Sequence, residues 1–188
     1  DRGGHREFEE IGGPAFVDPQ VRVATNFYVG LRALYLDLKV SLRENLLPDF
    51  PINELPDARA FDSRLVQLGP VAVYDSRDNS LNPHQGVYAQ ASWLAGVPGL
   101  GSDYANDRLT LFANVYDRVG PSTVIAARVS TCSVSRGSPF YDICLYGASS
   151  DLRGYETGRY RDRASWAGQI EVRQHLAGRF GLAAFAGV

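Results

Sequence analysis

The stretch "LYLDLKVSL", Leu34 to Leu42, alternates without a break. Leu34, Leu36, Leu38, Val40 and Leu42 share one face, and Tyr35, Asp37, Lys39 and Ser41 share the other. A period of two is that of a β-strand, whose successive side chains point to opposite sides. The pattern returns further along. Trp166, Gly168, Ile170, Val172 and Leu176 oppose Gln169, Glu171, Arg173 and His175. Leu109, Leu111, Ala113 and Val115 alternate with Arg108, Thr110, Asn114 and Tyr116, and Ile125, Ala127 and Val129 alternate with Arg128, Ser130 and Cys132. Clusters of Asp, Asn, Pro and Gly, such as "DSRDNSLNPHQG" at Asp75–Gly86, separate these runs. The spacing predicts an all-β antiparallel meander of about eight strands: 21–31, 33–45, 63–76, 87–95, 107–117, 123–135, 166–177 and 180–188. No Pro, Asn or Asp divides 27–36, so the first two are also readable as one long strand with a bulge.

The connections alternate as well. Tight turns at 119–122 and 177–180 alternate with long connections at 96–106 and 136–165. An outer-membrane β-barrel has this asymmetry, with long loops outside and short turns in the periplasm. A soluble sandwich can acquire it by accident. Several apolar faces are thin, for instance Val87, Ala89, Ala91 and Trp93. Small residues ending in an aromatic suit a lipid-facing wall with an interfacial girdle better than an interlocking core.

Composition narrows the function. The 188 residues carry a formal charge of −2, which provides no basic field for a nucleic acid. No apolar run reaches the roughly 18 residues of a membrane-spanning helix, a test that does not bear on spanning strands. The absence of methionine and of a charged-then-apolar leader points to a processed or excised piece. Cys132 and Cys144 can close a short loop in an oxidising compartment, or stay as two inert thiols in a reducing one. His5, His84 and His175 are isolated and show no metal-ligand spacing. There is no G-x-S-x-G elbow and no P-loop lysine. No catalytic residue, metal or cofactor is therefore assigned.

Three segments in order carry a resemblance. "YDSRDNSLNPHQGVY", then "LRGYETGRYRDR", then "QIEVR" resemble the Omp85 superfamily of BamA/TamA-like outer-membrane proteins, also called bacterial surface antigens. The match is best over 63–188 and extends by pattern over 21–62. The resemblance implies that 1–188 is part of one sixteen-stranded transmembrane barrel, near its strands six to thirteen, with no POTRA domain and without the last strands. It also implies a bacterial outer-membrane location, contact with lipid, and a role in inserting, assembling or translocating client outer-membrane or secreted proteins. The alternatives are a barrel that acts only as anchor or pore, as after a patatin-like lipase domain, and a soluble β-sandwich or lipocalin-like binder.

The resemblance further gives the arginine-dense segment a purpose. It implies a loop folded into the lumen, bearing Leu152, Arg153, Gly154 and Tyr155. Arg153 would grip Glu171 on the wall, where a planar guanidinium suits a carboxylate. Arg159, Arg161, Asp162 and Arg173 would support it. The family often places a second acid on the following strand, where this chain has Ala186; Asp162 or a residue beyond Val188 is the expected substitute. Both cysteines would then lie outside the reducing cytosol, which implies a Cys132–Cys144 bridge pinning the first limb of the loop.

Overall fold

The computed structural model describes residues 8–11, 13–42, 60–145, 153 and 160–188. The strands are β1 (Phe8–Ile11), β2 (Pro14–Val17), β3 (Gln20–Ala24), β4 (Phe27–Leu42), β5 (Ala60–Asp75), β6 (Gly86–Gly96), β7 (Asp107–Arg118), β8 (Thr123–Val134), β9 (Cys144–Leu145), β10 (Arg161–Asp162), β11 (Ala164–Ala177) and β12 (Phe180–Gly187). Ten of them form one antiparallel sheet in the order β1-β4-β5-β6-β7-β8-β11-β12, with β2 and β3 also paired to β4. The pair β9–β10 is a small separate ribbon. Neighbours in the sheet are neighbours in sequence apart from that ribbon, so this is the meander that the alternation predicts. Apart from that two-stranded ribbon, no second sheet packs across it among the described residues. The sheet is open, with β1–β3 along one margin and β12 along the other.

The first two strands differ from their predicted bounds. The break lies at Thr25–Asn26, not near residue 32, and Phe27–Leu42 is a single strand. Asn26 makes the turn with φ 61°, a left-handed conformation that asparagine tolerates. No glycine or proline marks the place. β1, β2 and β3 pair β4 in one common register, so they are one strand in segments. One interruption is Asp18–Pro19, where proline offers no N–H to a ladder.

Directly opposed residues in an antiparallel pair lie on the same face. Following the registers across the sheet therefore defines two sides. The inner side carries Gln67, Ser92, Thr110, Arg128, Gln169 and Glu171; the outer side carries Leu31, Leu68, Trp93, Leu111, Val129, Ile170 and Leu182. Burial is inverted relative to a water-soluble protein. Gln67 is 0% exposed and Glu171 5%, whereas Ile170 is 51% and Trp166 66% exposed. A surface of contiguous bare aliphatics is unstable against water and suited to hydrocarbon. On β4 this outer stretch runs from Phe27 to Tyr35, then gives way to Asp37. At roughly 3.3 Å per residue it covers about 26 Å, close to the outward apolar band of a bacterial barrel. Phe27 and Tyr74 sit at one rim of the band, with Tyr35, Trp93 and Trp166 toward the other.

The registers also fix the sides of β4. The row Leu34, Leu36, Leu38 faces inward, and Tyr35 and Asp37 face outward: Leu36 opposes the buried Leu65, and Leu38 opposes Ser63. The inner wall at β4–β6 mixes these leucines with polar residues such as Ser63, Gln67 and Ser92, and the loop after β8 faces it. Leu34, Leu36, Leu65 and Leu94 share a cavity of about 810 Å³ with that loop's Tyr141 and Ile143. Arg32, Gln90, Arg108 and Arg128 also border this space, so its lining is mixed.

Candidate functional site

The connection from β8 to β11 is the longest in the described sheet, and its described residues Tyr141, Asp142 and Arg153 meet the inner face. Its first limb leaves β8 through a turn in which the Ser138 N–H donates to the Ser135 carbonyl at 3.2 Å. Pro139 then opens a 3₁₀ turn, Phe140–Asp142. The turn delivers Asp142 to three donors on three parts of the wall. Arg108 Nη1 on β7 donates to Asp142 Oδ1 and to its carbonyl, both at 2.9 Å. Gln67 Nε2 on β5 and Asn106 Nδ2, just before β7, each donate to Oδ2 at 2.8 Å. Asn106 can reach because residue 96 is glycine: a Cβ there would stand 2.3 Å from Asn106 Oδ1. Asp142, Gln67 and Asn106 are all buried, so the two amide bonds to the carboxylate are made away from water and are charge-assisted, while Arg108 is half-buried.

Beside Asp142, the Tyr141 hydroxyl lies 2.6 Å from Ser63 Oγ, which in turn meets the Tyr104 hydroxyl at 3.0 Å. Burial pushes the Tyr141 phenol up to about 12, against the opposing pull of the Ser63 hydrogen bond. Cys144 is joined to Cys132 of β8 by a disulfide, with Cα atoms 5.8 Å apart. The ribbon pairs Cys144 with Asp162 and Leu145 with Arg161, tying the two limbs together. The Val134 N–H donates to the Arg163 carbonyl at 2.7 Å and closes the base of the loop.

The second contact is at Arg153. Its backbone N–H donates to Gln169 Oε1 at 3.2 Å, and its Nη1 donates to Glu171 Oε2. The guanidinium stands 5.1 Å from the Phe185 ring centre. Glu171 Oε1 accepts from Arg173 Nε, so one buried carboxylate serves two arginines. Arg173 continues inward, 5.7 Å from the Tyr116 ring and with Nη1 donating to the Pro83 carbonyl at 3.4 Å. A polar cavity of about 120 Å³ lies beside this cluster, bordered by Asn114, Tyr116, Arg128 and Gln169.

Pro83 belongs to the turn 76–85, at the end of the sheet with the short connections. Asp78 Oδ1 accepts the N–H groups of His84 and Gln85 at 2.8 and 3.2 Å. Those bonds hold the Asp78 carboxyl below its ordinary value. Asn79 Oδ1 accepts from Leu81 and Asn82, closing the tip. Arg77 forks onto Asp75 and lies 4.2 Å from the Tyr88 ring centre.

The structure thus brings together Arg153, Glu171 and Arg173, and joins Cys132 to Cys144. Arg161 and Asp162 form β10 at the loop base, away from Glu171; Asp162 Oδ1 accepts the Arg163 N–H. Leu152, Gly154, Tyr155 and Arg159 lie outside the described residues. Ala186 is not where a second acid would meet Arg153. It opposes Ile170 on the outer side, and Phe185, opposite Glu171, takes the inward place. Asp142, Gln67, Asn106 and Arg108 were not singled out from sequence. The available signals were slight: an acid between Pro139 and Cys144, and a polar Gln67 in an inward row with Leu65, Val71 and Val73.

An open antiparallel sheet with a lipid-suited exterior, polar anchors inside and a loop folded against them is a section of a bacterial outer-membrane β-barrel. The Omp85 superfamily domain matches residues 15–188, and the chain belongs to that superfamily. Among solved structures it resembles BamA from Haemophilus ducreyi lacking POTRA domains 1–3, with TM-score 0.71 and 15% identity over 96% of this chain and 42% of that one. The chain therefore spans less than half of that protein. No protein with a curated description matches it in sequence.

Proposed function

We propose that the chain is part of a barrel that assists insertion, assembly or translocation of other outer-membrane or secreted proteins, with the loop as an internal strut. The observation carrying this reading is the Arg153–Glu171–Arg173 cluster, a loop arginine on a buried wall carboxylate. Its work is mechanical. A loop braced across the interior holds the wall in one shape, so that a client strand can add to a barrel edge by backbone pairing. Lipid on the outer band and unfolded client chains are the partners, and the reading needs no catalytic residue, cofactor or nucleic acid. A barrel serving only as anchor or pore would carry the same loop without client traffic.

The test uses the intact parent protein, with Arg153→Ala and Arg153→Lys compared for folding by heat-modifiable gel mobility and for client-barrel assembly into proteoliposomes. Arg153→Ala is expected to fold and to slow assembly, with Arg153→Lys retaining part of the rate. Unchanged assembly by folded Arg153→Ala would leave the anchor or pore reading. A charge swap is a poorer test, because an arginine at position 171 would face Arg173.

A further inference from the structure

We infer that Asp142 is the positioning residue of the loop: its buried clasp sets where Arg153 meets the wall. Three observations carry this. The first is reach. Asp142 joins β5, β7 and the connection before β7, whereas Arg153 touches β11 and its neighbour β12. The second is burial. The Asp142 side chain is 8% exposed, against 46% for that of Arg153. A carboxylate shielded from water, with donors converging from fixed wall sites, is satisfied in one position only, while a half-exposed arginine can exchange its partner for water. The third is connection. Asp142 stands two residues before Cys144, whose disulfide and ribbon define the loop base. Arg153 lies midway between the ribbon residues Leu145 and Arg161. Moving the ribbon moves both ends of the segment that carries Arg153.

Asp142 also orients its own donors. Gln67 and Asn106 each point an amide N–H at it, leaving Gln67 Oε1 and Asn106 Oδ1 buried without a hydrogen bond among the described residues. A neutral group at 142 would not compensate that arrangement. The disulfide restrains Cys144 but does not by itself specify the angle at which the limb crosses β5 and β7.

The inference rests on the strut reading for why the position of Arg153 matters, but its test reads position and not client assembly, so either can fail alone. In the intact protein, Phe185 is replaced by the photo-crosslinking analogue p-benzoylphenylalanine, which faces Arg153. After irradiation, only the folded, heat-modifiable band is analysed for crosslinks to the Arg153 segment. Asp142→Ala is expected to lower the crosslink yield about tenfold, the scale at which a broken buried ion pair releases its segment. Asp142→Asn, with the same shape but no charge, is expected to fall between. Should Asp142→Ala yield no folded band, Asn106→Asp, which sets a second carboxylate against Asp142, is read in its place. A yield within about twofold of the parent in the folded variant overturns the inference, since a buried pair's loss has a larger effect than that.

Discussion

The two contacts of the loop are opposites in charge order and in setting. At the first limb the loop supplies the acid, Asp142, and the wall supplies Arg108 with two amides. At the second the loop supplies the base, Arg153, and the wall supplies Glu171. The first is buried, reaches several wall elements and is reinforced by a disulfide. The second is half-exposed, and its carboxylate is shared with Arg173. A buried charge met by several fixed donors favours a single arrangement, and exposed ion pairs contribute about 0–1 kcal/mol. The difference assigns the limbs different work: one fixes the loop, and the other can let go without unfolding it. A strut that must keep its place yet respond to the wall needs both.

Removing the disulfide should have the largest effect on this comparison. Cys132→Ser with Cys144→Ser opens a link of sequence separation 12, which costs about 2–3 kcal/mol for a loop of this size. The midpoint of heat-modifiable unfolding should fall, and residues 135–145 should become accessible to protease while the barrel stays folded. Arg153→Ala should leave that protection in place. Equal loss of protection in both would show that the limbs are one unit and would dissolve the contrast.

What the chain displays openly, and what it conceals, follows the same division. Period-two alternation is a local signal, so strands from 60 onward are legible in it. Alternation does not say which face is inside. Leu34 and Leu36 face inward across a cavity from a loop more than 100 residues later, which no local pattern encodes. The hairpin at Asn26 is hidden for a different reason, since its left-handed turn uses no glycine. Within the site, Glu171 and Arg173 stand two apart on one face, which periodicity shows. Arg153 was pointed to by the family-like motif around it. Asp142 meets Gln67 across 75 residues and Arg108 across 34, and neither partner belongs to a recognisable motif. Long-range polar anchors of this kind become visible only once the registers are known.

The face assignment beside Arg153 gives an intermediate effect. Ala186 lies on the lipid side and Phe185 on the loop side. Ala186→Asp should destabilise the barrel by about 1–2 kcal/mol, as a carboxylate set in the lipid-facing band does. Phe185→Asp should be nearly neutral, because a ring–guanidinium contact of about 0.5–1 kcal/mol is exchanged for an ion pair of similar size. Urea midpoints of the two variants in the same lipid check this. The reverse ranking would mean that the faces of β12 are assigned the wrong way round, and the Arg153 contact with them.

The smallest effect belongs to Tyr141 and depends on pH. Tyr141→Phe removes the hydroxyl that meets Ser63, a loss of about 1 kcal/mol for one hydrogen bond. Ser63 keeps Tyr104, so it is not left bare. The alkaline limb separates the two proteins. The phenol is raised from 10.0 in the open chain to about 12 in the fold. The folded state therefore binds more protons over that interval, and stability falls as pH rises through it. The contribution is complete below pH 10 and lost by about 12. Protease protection of residues 135–145, followed from pH 8 upward, should decline more steeply in the parent than in Tyr141→Phe. The slope originates in the first limb, where the Tyr141 phenol loses its proton over this interval. Because the first limb positions Arg153, protection there should decline in parallel; protection at Arg153 that stayed flat while residues 135–145 opened would separate the limbs and count against the role given to Asp142.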